Sequence, residues 1–145
     1  MRKSTSLLVA AAVSLSLHPW AHAADNAVLV PPGEIKWQDV PNAKGVQIAA
    51  LQGDPSKGAS HFFLKFAPGF SAPMHHHSAN HYGAVVSGTM VLTVDGQERK
   101  LPAGSYFAFT GKKPHATRCE AGAECVLSMD ARGKWDVVQQ KKQKK

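Results

Sequence analysis

The sequence predicts an all-β, single-domain protein folded as a small β-barrel or double-sheet jelly roll. After residue 23, short runs rich in β-branched and aromatic residues alternate with glycine and proline, and no long helical period is present. The chain has 145 residues, which is the size of one domain. About eight short strands at this spacing are typical of a barrel or a jelly roll.

The candidate strands are separated by explicit turn signals. Asp95-Gly96 predicts a tight hairpin, because glycine adopts a positive φ without penalty. The aromatic residues of Tyr106–Thr110 fall on both faces, so this strand is expected to be covered on both sides. Lys134–Val138 is expected to add an edge strand or a closing turn. The eight predicted strands are Val46–Leu51, Ser60–Phe66, Tyr82–Ser87, Thr89–Val94, Glu98–Leu101, Tyr106–Thr110, Ala116–Cys119 and Cys125–Met129.

The first 23 residues have the three parts of a secretory signal peptide. Arg2 and Lys3 form a positive start, Leu7–Leu17 is apolar, and Ala21-His22-Ala23 matches a signal-peptidase site. Cleavage after Ala23 predicts a periplasmic or secreted domain over residues 24–139. The apolar run is shorter than the roughly 20 residues of a membrane span, so no integral membrane segment is expected after cleavage. A retained N-terminal anchor is the alternative.

The basic charge lies mainly at the two ends of the chain. The formal charge is +7 at pH 7, but the predicted signal peptide carries two of these cations and the tail over residues 140–145 carries four lysines. We expect a solvated, disordered tail, with weak attraction to an anionic surface as the alternative. The interleaving of aromatic and basic residues found on nucleic-acid-binding surfaces is absent, so no nucleic-acid partner is expected.

The two cysteines, Cys119 and Cys125, flank a loop centred on Gly122. If the two flanking strands pair, the cysteines face each other, and an exported protein meets conditions that permit a disulfide. Two reduced thiols, one of them near a metal site, are the alternative.

Four histidines cluster in the segment from Met74 to His81. In an extended strand His75 and His77 point to one face and His76 points to the other. His81 can return to the same site if the chain turns through residues 78–80, and His115 would arrive from a distant strand. A solvated, histidine-rich surface loop that takes up metal adventitiously is the alternative.

The ligand chemistry of this cluster favours a divalent transition metal. Neutral imidazole is a common ligand for Zn, Cu, Fe and Ni and a poor one for Mg or Ca. No carboxylate residue occurs between Asp54 and Asp95, so the predicted site is formed by nitrogen ligands and water. A water molecule on such an ion becomes strongly acidic.

The spacing of the histidines resembles the first motif of the cupins, which are small β-barrels with a metal at the barrel mouth. Gly69 is followed after five residues by His75-x-His77, after three more by His81, and after six more by Gly88. Every spacing agrees with the family motif, and the one departure is His81, where cupins usually have glutamate.

The second cupin motif is matched more loosely. Gly104 and His115 stand at the positions of the family's glycine and histidine, whereas Thr110, Lys112 and Cys119 replace its proline, glycine and asparagine. The resemblance covers roughly residues 60–129 and implies a cupin-type β-barrel.

Carried over to these positions, the resemblance implies that His75, His77, His81 and His115 bind one divalent transition-metal ion. Zn, Cu or Ni is favoured because the site lacks the usual carboxylate, and Fe or Mn is the alternative. For His81 the alternative is a position beside the ligands or facing solvent. His61 is interpreted as a structural strand residue.

Two function classes follow from this resemblance. The first is a metal-dependent enzyme acting on a small molecule, and the second is a non-catalytic cupin that binds metal or a small ligand. Cupins often pair through edge strands, which allows a homodimer. Candidates for acid–base groups, or for residues that support the ligands, are Tyr106, Tyr82, Asn80 and Cys119. The expected lining of a partly apolar pocket is Phe63, Val85, Met90, Phe107 and Met129.

Overall fold

Residues 27–140 are described by a computed structural model, and they form two antiparallel β-sheets with a shared core. The predicted signal peptide over residues 1–23 and the lysines of the predicted tail lie outside the described residues. A short 3₁₀ helix, Pro32–Glu34, precedes the strands. The strands are β1 Gln38–Asp39, β2 Val46–Gly53, β3 Ser60–Phe66, β4 Ser71–His76, β5 His81–Ser87, β6 Thr89–Val94, β7 Gln97–Pro102, β8 Tyr106–Phe109, β9 His115–Cys119, β10 Cys125–Ala131 and β11 Val138–Gln139.

One sheet has the strand order β1-β2-β3-β10-β5-β8, and the other has the order β11-β4-β9-β6-β7. This architecture confirms the predicted all-β, double-sheet jelly roll. All eight predicted strands are present, with ends displaced by at most two residues. No helix within residues 27–140 is long and apolar enough to cross a membrane.

Strand β4 was not among the predicted strands, although it carries part of the histidine cluster. It contains Pro73, which has no backbone N–H to donate, and its register against β9 shifts by one residue between Ala72 and His75. The predicted closing segment Lys134–Val138 contributes only the start of β11, an edge strand of the second sheet.

The core is built from alternate side chains of the strands. In β3, Phe62, Leu64 and Phe66 are buried, and Leu127 and Met129 of the neighbouring β10 are buried beside them. Burial of each large apolar side chain stabilises the fold by about 1.5–3 kcal/mol. The period of two therefore sets which residues face the interior of the barrel.

The prediction that both faces of strand β8 are covered is wrong. Tyr106 is 65% exposed on the outer face, whereas Phe107 and Phe109 face inward. The Phe107 ring lies directly over Gly83 of the paired strand β5, so closely that a Cβ atom at Gly83 would overlap the ring.

A disulfide joins Cys119 to Cys125. The expected pairing of their two strands does not occur: β9 belongs to one sheet and β10 to the other. The disulfide therefore connects the two sheets across the core, and both cysteines are fully buried.

Candidate metal centre

Four histidines from three regions of the chain meet at one end of the barrel. His75 lies near the end of β4, His77 follows that strand, His81 begins β5 and His115 begins β9. All four are buried, with at most 6% of their surface exposed.

The register shift in β4 determines which histidine faces β9. Ala72 pairs with Thr117, so regular pairing would place Met74 opposite His115. The extra residue at the bulge places His75 opposite His115 instead. Residues directly opposite each other on paired strands have neighbouring side chains, so the bulge brings two imidazoles from distant parts of the sequence together.

His75, His77 and His115 form the central group of the site. Each offers one ring nitrogen, and these nitrogens lie within 4.8 Å of one another. His81 lies beside this group but outside it: its ring centroid is 4.7 Å from that of His77 and 5.9 Å from that of His115. The structure thus brings three of the four predicted ligands into one group and places the fourth next to it.

Hydrogen bonds orient all four imidazoles in the same way. The Nδ1 atom of His75 donates to the carbonyl of Pro73 at 2.7 Å, and that of His115 donates to Lys113 at 3.0 Å. His81 donates similarly to Ala79 at 3.2 Å. A carbonyl oxygen only accepts, so in these hydrogen bonds Nδ1 carries the proton and Nε2 keeps its lone pair.

His77 makes the corresponding hydrogen bond with a distant partner. Its Nδ1 donates to the backbone carbonyl of Asp136, which lies 59 residues further along the chain. Hydrogen bonds of this kind hold metal-binding histidines in one tautomer and one orientation.

Burial keeps these histidines neutral near pH 7. It lowers the pKa of His77 to about 3 and that of His115 to about 4, despite the opposing effect of their hydrogen bonds to carbonyl groups. Burial also lowers the pKa of His75 and the pKa of His81. A neutral imidazole is the form that binds a metal ion, so the site is ready for metal without releasing protons.

Aromatic rings pack against the imidazoles. Trp135 stacks on His77 with centroids 3.8 Å apart and contacts His81 edge-on at 5.1 Å. Phe109 stacks on His115 at 4.0 Å. Sequence reasoning missed Trp135, Phe109 and Asp136, because a single aromatic or acidic residue far from a motif carries no signal of its position in the fold.

A cavity of about 990 Å³ opens onto the histidines. Its exposed rim includes Lys36, Lys44 and Asp54. The apolar side chains of its wall include Leu64, Phe66, Leu92, Phe109, Leu127 and Trp135. Such a cavity is large enough for a small organic ligand, and its walls are mostly apolar.

The chain was compared with known proteins. A family model described as a cupin domain matches residues 62–130, which include β5, β9 and most of the barrel. The chain belongs to the cupin superfamily. No protein with a curated description matches the sequence.

Solved structures share the fold of this cupin at low sequence identity. The polyketide cyclase RemF from Streptomyces resistomycificus has a TM-score of 0.66 at 22% identity, over 77% of this chain and 83% of that one. KdgF from Halomonas sp. has a TM-score of 0.61 at 22% identity, over 74% and 94% of the two chains. A predicted oxalate decarboxylase from Thermotoga maritima has a TM-score of 0.61 at 18% identity, over 72% and 98%.

Three of the four residues predicted to act beside the ion lie away from the metal centre of this cupin. Tyr82 lies on the outer face beside Arg132, and Tyr106 is on the same face. Asn80 accepts a hydrogen bond from the backbone of Gly111, and Cys119 is in the disulfide. None of the four lines the cavity, and the prediction is wrong for Tyr82, Tyr106 and Cys119, whereas Asn80 precedes His81 in the loop beside the metal centre. Alternation along a strand does not identify the inward face until its register is known.

The predicted pocket lining is correct only in part. Phe107 and Met129 line the cavity. Val85 and Met90 are buried in the core without reaching it, and Phe63 stacks on Trp37 instead.

The two remaining histidines outside the predicted signal segment do not join the cluster. His61 is exposed on β3, and His76 is half-buried on β4, opposite Val138 of β11. Neither belongs to the group of His75, His77 and His115.

The donor set fits a transition-metal ion. Three neutral imidazole nitrogens meet without a carboxylate in the group, which suits Zn, Cu, Ni or Fe(II) better than Mg or Ca. The oriented Nδ1–H groups and the buried surroundings are typical of metal centres.

Proposed function

We propose that this cupin binds one divalent transition-metal ion through His75, His77 and His115, with His81 as the fourth imidazole of the site. The observation that carries the proposal is the convergence of three buried, similarly oriented imidazoles on a cavity of about 990 Å³. Zn, Cu or Ni is favoured over Fe or Mn, because the group contains no carboxylate.

We further propose that the centre is catalytic and acts on a small, partly apolar molecule. A bound ion would act as a Lewis acid on an oxygen of this molecule or on water. The imidazoles would hold the ion, their hydrogen bonds from Nδ1 keep the rings in one orientation, and Leu92 and Phe109 contribute an apolar wall. Similar folds include a polyketide cyclase, a predicted oxalate decarboxylase and a DMSP lyase, which supports an enzyme without identifying its substrate.

A non-catalytic metal- or ligand-binding protein is the second candidate. The nearness of His81 favours it, because its ring centroid lies 4.7 Å from that of His77. Four imidazoles can fill a tetrahedral zinc shell completely, and a closed shell is structural. One similar fold belongs to a transcriptional regulator rather than to an enzyme.

The number of protein ligands decides between the two candidates. Tag-free mature protein, purified without added metal or chelator, should contain about one equivalent of metal by elemental analysis. The Co²⁺-substituted protein then reports the geometry through its visible absorption, which is intense for four-coordinate and weak for six-coordinate cobalt. A spectrum that shifts when azide is added indicates an open position and supports the enzyme.

Each other result contradicts a defined part of the proposal. An intense four-coordinate spectrum that does not respond to azide would favour the closed, non-catalytic site. No metal in the purified protein, together with no tight uptake of Zn²⁺ or Co²⁺ on titration, would overturn the metal centre and the enzyme and would leave only the non-catalytic binding of a small ligand.

We also propose that the protein is exported to the periplasm or beyond. The three-part N-terminal sequence supports export, and the disulfide between Cys119 and Cys125 is of the kind that persists in oxidising compartments. Mass spectrometry of the protein from the periplasmic fraction should find a mature chain that begins at Ala24. A chain that retains Met1 and stays with the membrane would support the anchor instead.

A further inference from the structure

The C-terminal strap, defined as residues 132–140, lies along the loop that joins His77 to His81. The backbone N–H of Arg132 donates to the carbonyl of Asn80 at 2.9 Å, next to His81. At the other end of the loop, Asp136 contacts both His77 and Ser78. The strap therefore holds both ends of the segment that connects two histidines of the metal centre.

His77 depends on the strap for the orientation of its ring. The other three histidines donate from Nδ1 to a carbonyl two residues earlier in their own segment. His77 donates to the carbonyl of Asp136 instead. Its ring lines the cavity and stacks on the ring of Trp135, with the two centroids 3.8 Å apart. The local chain thus orients three imidazoles, while a remote residue orients the fourth.

The carboxylate of Asp136 fixes the same segment a second time. Its Oδ1 accepts a hydrogen bond of 2.7 Å from the backbone N–H of Ser78. Hydrogen bonds from Ser78 lower the pKa of Asp136 against the opposing effect of burial, so this carboxyl group is ionised near pH 7. Because the carboxylate holds the backbone of Ser78, next to His77, its loss would free this end of the loop, whereas the carbonyl of residue 136 remains as the acceptor for His77.

The strap lies outside the part of the chain that matches the cupin domain, which ends at residue 130. We propose that Asp136 is a positioning residue of the metal centre, which orients His77 through its carbonyl and fixes the 77–81 loop through its carboxylate. This inference rests on the proposed metal site. It adds to that site a partner from beyond the matched domain.

The test measures metal affinity in Asp136 variants. Asp136→Ala removes the acceptor for Ser78, whereas Asp136→Asn keeps an oxygen in its place. Glu98→Ala is the matched control, because it removes an exposed carboxylate that pairs with Arg118 instead. The dissociation constant for Zn²⁺ is measured by competition with a chromophoric chelator. Losing an outer hydrogen-bond partner typically weakens metal binding by about tenfold to a hundredfold.

The fluorescence of Trp135 supplies a second measurement of metal binding at His77. In a Trp37→Phe background, Trp135 is the only tryptophan of the predicted mature chain, and its ring stacks on His77. Titration with Co²⁺ should quench its fluorescence. A Trp135→Phe protein, which retains Trp37 beside Phe63 on the outer face, should show little quenching.

The expected result is weaker Zn²⁺ binding in Asp136→Ala, with near wild-type affinity in Asp136→Asn and Glu98→Ala and with circular dichroism unchanged in all three. Equal affinity in wild type and Asp136→Ala would overturn the positioning role and leave the metal site intact. Unfolding of Asp136→Ala and of Asp136→Leu would also overturn it, since Asp136 would then be required for the fold itself. No binding by the wild type would remove the proposed metal site and this inference together.

Discussion

Each imidazole of the site uses its Nδ1 atom for a hydrogen bond to a carbonyl group and leaves Nε2 available to the cavity. This holds for His75, His77, His81 and His115. This arrangement fixes a ring before any ligand arrives, so less side-chain entropy is lost on binding. At the scale of single residues, the site is therefore preorganised.

Removal of two imidazoles should abolish metal binding without unfolding the barrel. In His75→Ala/His77→Ala, only His115 of the central group remains, with His81 beside it, and two nitrogen ligands do not hold a divalent ion tightly. Equilibrium dialysis with Zn²⁺ should show loss of the single equivalent. His76→Ala is the control and should bind normally, because His76 is outside the group. One tight equivalent in the double variant would contradict the ligand assignment.

The stability of the metal-free protein should fall in mild acid. Burial lowers the pKa of His77 to about 3 and that of His115 to about 4, from an ordinary value of 6.5. Below about pH 6.5 the unfolded chain takes up protons that the folded chain excludes, so the free energy of unfolding decreases as the pH falls. The slope is about 1.4 kcal/mol per pH unit for each such group.

Urea denaturation of the metal-free protein between pH 7.5 and 4.5 measures this slope. His77→Gln should give a shallower dependence, because one of the buried titrating groups is gone. A free energy of unfolding that does not change over this range would contradict the burial of neutral histidines.

The sequence contains enough information to find the histidines but not the residues that support them. His75 and His77 are found by their local spacing, and His115 is found by its place in a known motif. Trp135 and Asp136 reach the site through the pairing of β11 with β4, and long-range pairing of a two-residue strand leaves no periodic pattern to detect.

At the scale of strands, the period of two predicts the core well where a strand is regular. β3 alternates without a break, and its predicted bounds are those observed. β4 escaped prediction because Pro73 and a bulge interrupt it. β8 was misjudged because the aromatic side chain on its outer face, Tyr106, is exposed instead of covered.

The close approach of β8 to β5 predicts a specific steric effect. Gly83→Ala should destabilise the protein by about 1–3 kcal/mol, because the new methyl group would overlap the Phe107 ring. Urea denaturation measures the effect. Gly58→Ala is the matched control, since a Cβ atom there meets no neighbour within 4 Å and its φ is not in the left-handed region.

A second substitution tests whether this ring is the cause. Phe107→Leu in the Gly83→Ala background should recover part of the lost stability, because the smaller side chain leaves room for the methyl group. No recovery in the double variant would mean that the cost arises in the backbone of β5 rather than at Phe107.

At the scale of the whole molecule, the disulfide is the one covalent cross-link between side chains of the two sheets in the described part of the chain, in addition to the backbone loops that join them. Cys119→Ala/Cys125→Ala should lower the free energy of unfolding by about 2 kcal/mol, the value expected for so short a loop. Cys119 follows His115 by four strand residues, a separation of roughly 13 Å, so the affinity for Zn²⁺ should be unchanged.

Denaturation and Zn²⁺ competition measured on the same variant separate these two effects. A large loss of metal affinity at unchanged secondary structure would show that the disulfide also shapes the metal centre. The disulfide itself could not be settled from the sequence, because the expected pairing of the flanking strands was wrong and only the sheet assignment brings the two cysteines together across the core.

The position of the disulfide also determines how the barrel can deform. Cys119 and Cys125 tie the two sheets at one end, and the histidines lie at the opposite ends of the same strands or of their neighbours. At the histidine end the sheets are joined by loops instead of a cross-link, because residues 77–80 connect β4 to β5 and residues 110–114 connect β8 to β9. Any spreading of the sheets is therefore opposed by the disulfide at one end and has to be taken up by loops at the other end, where the histidines line the cavity.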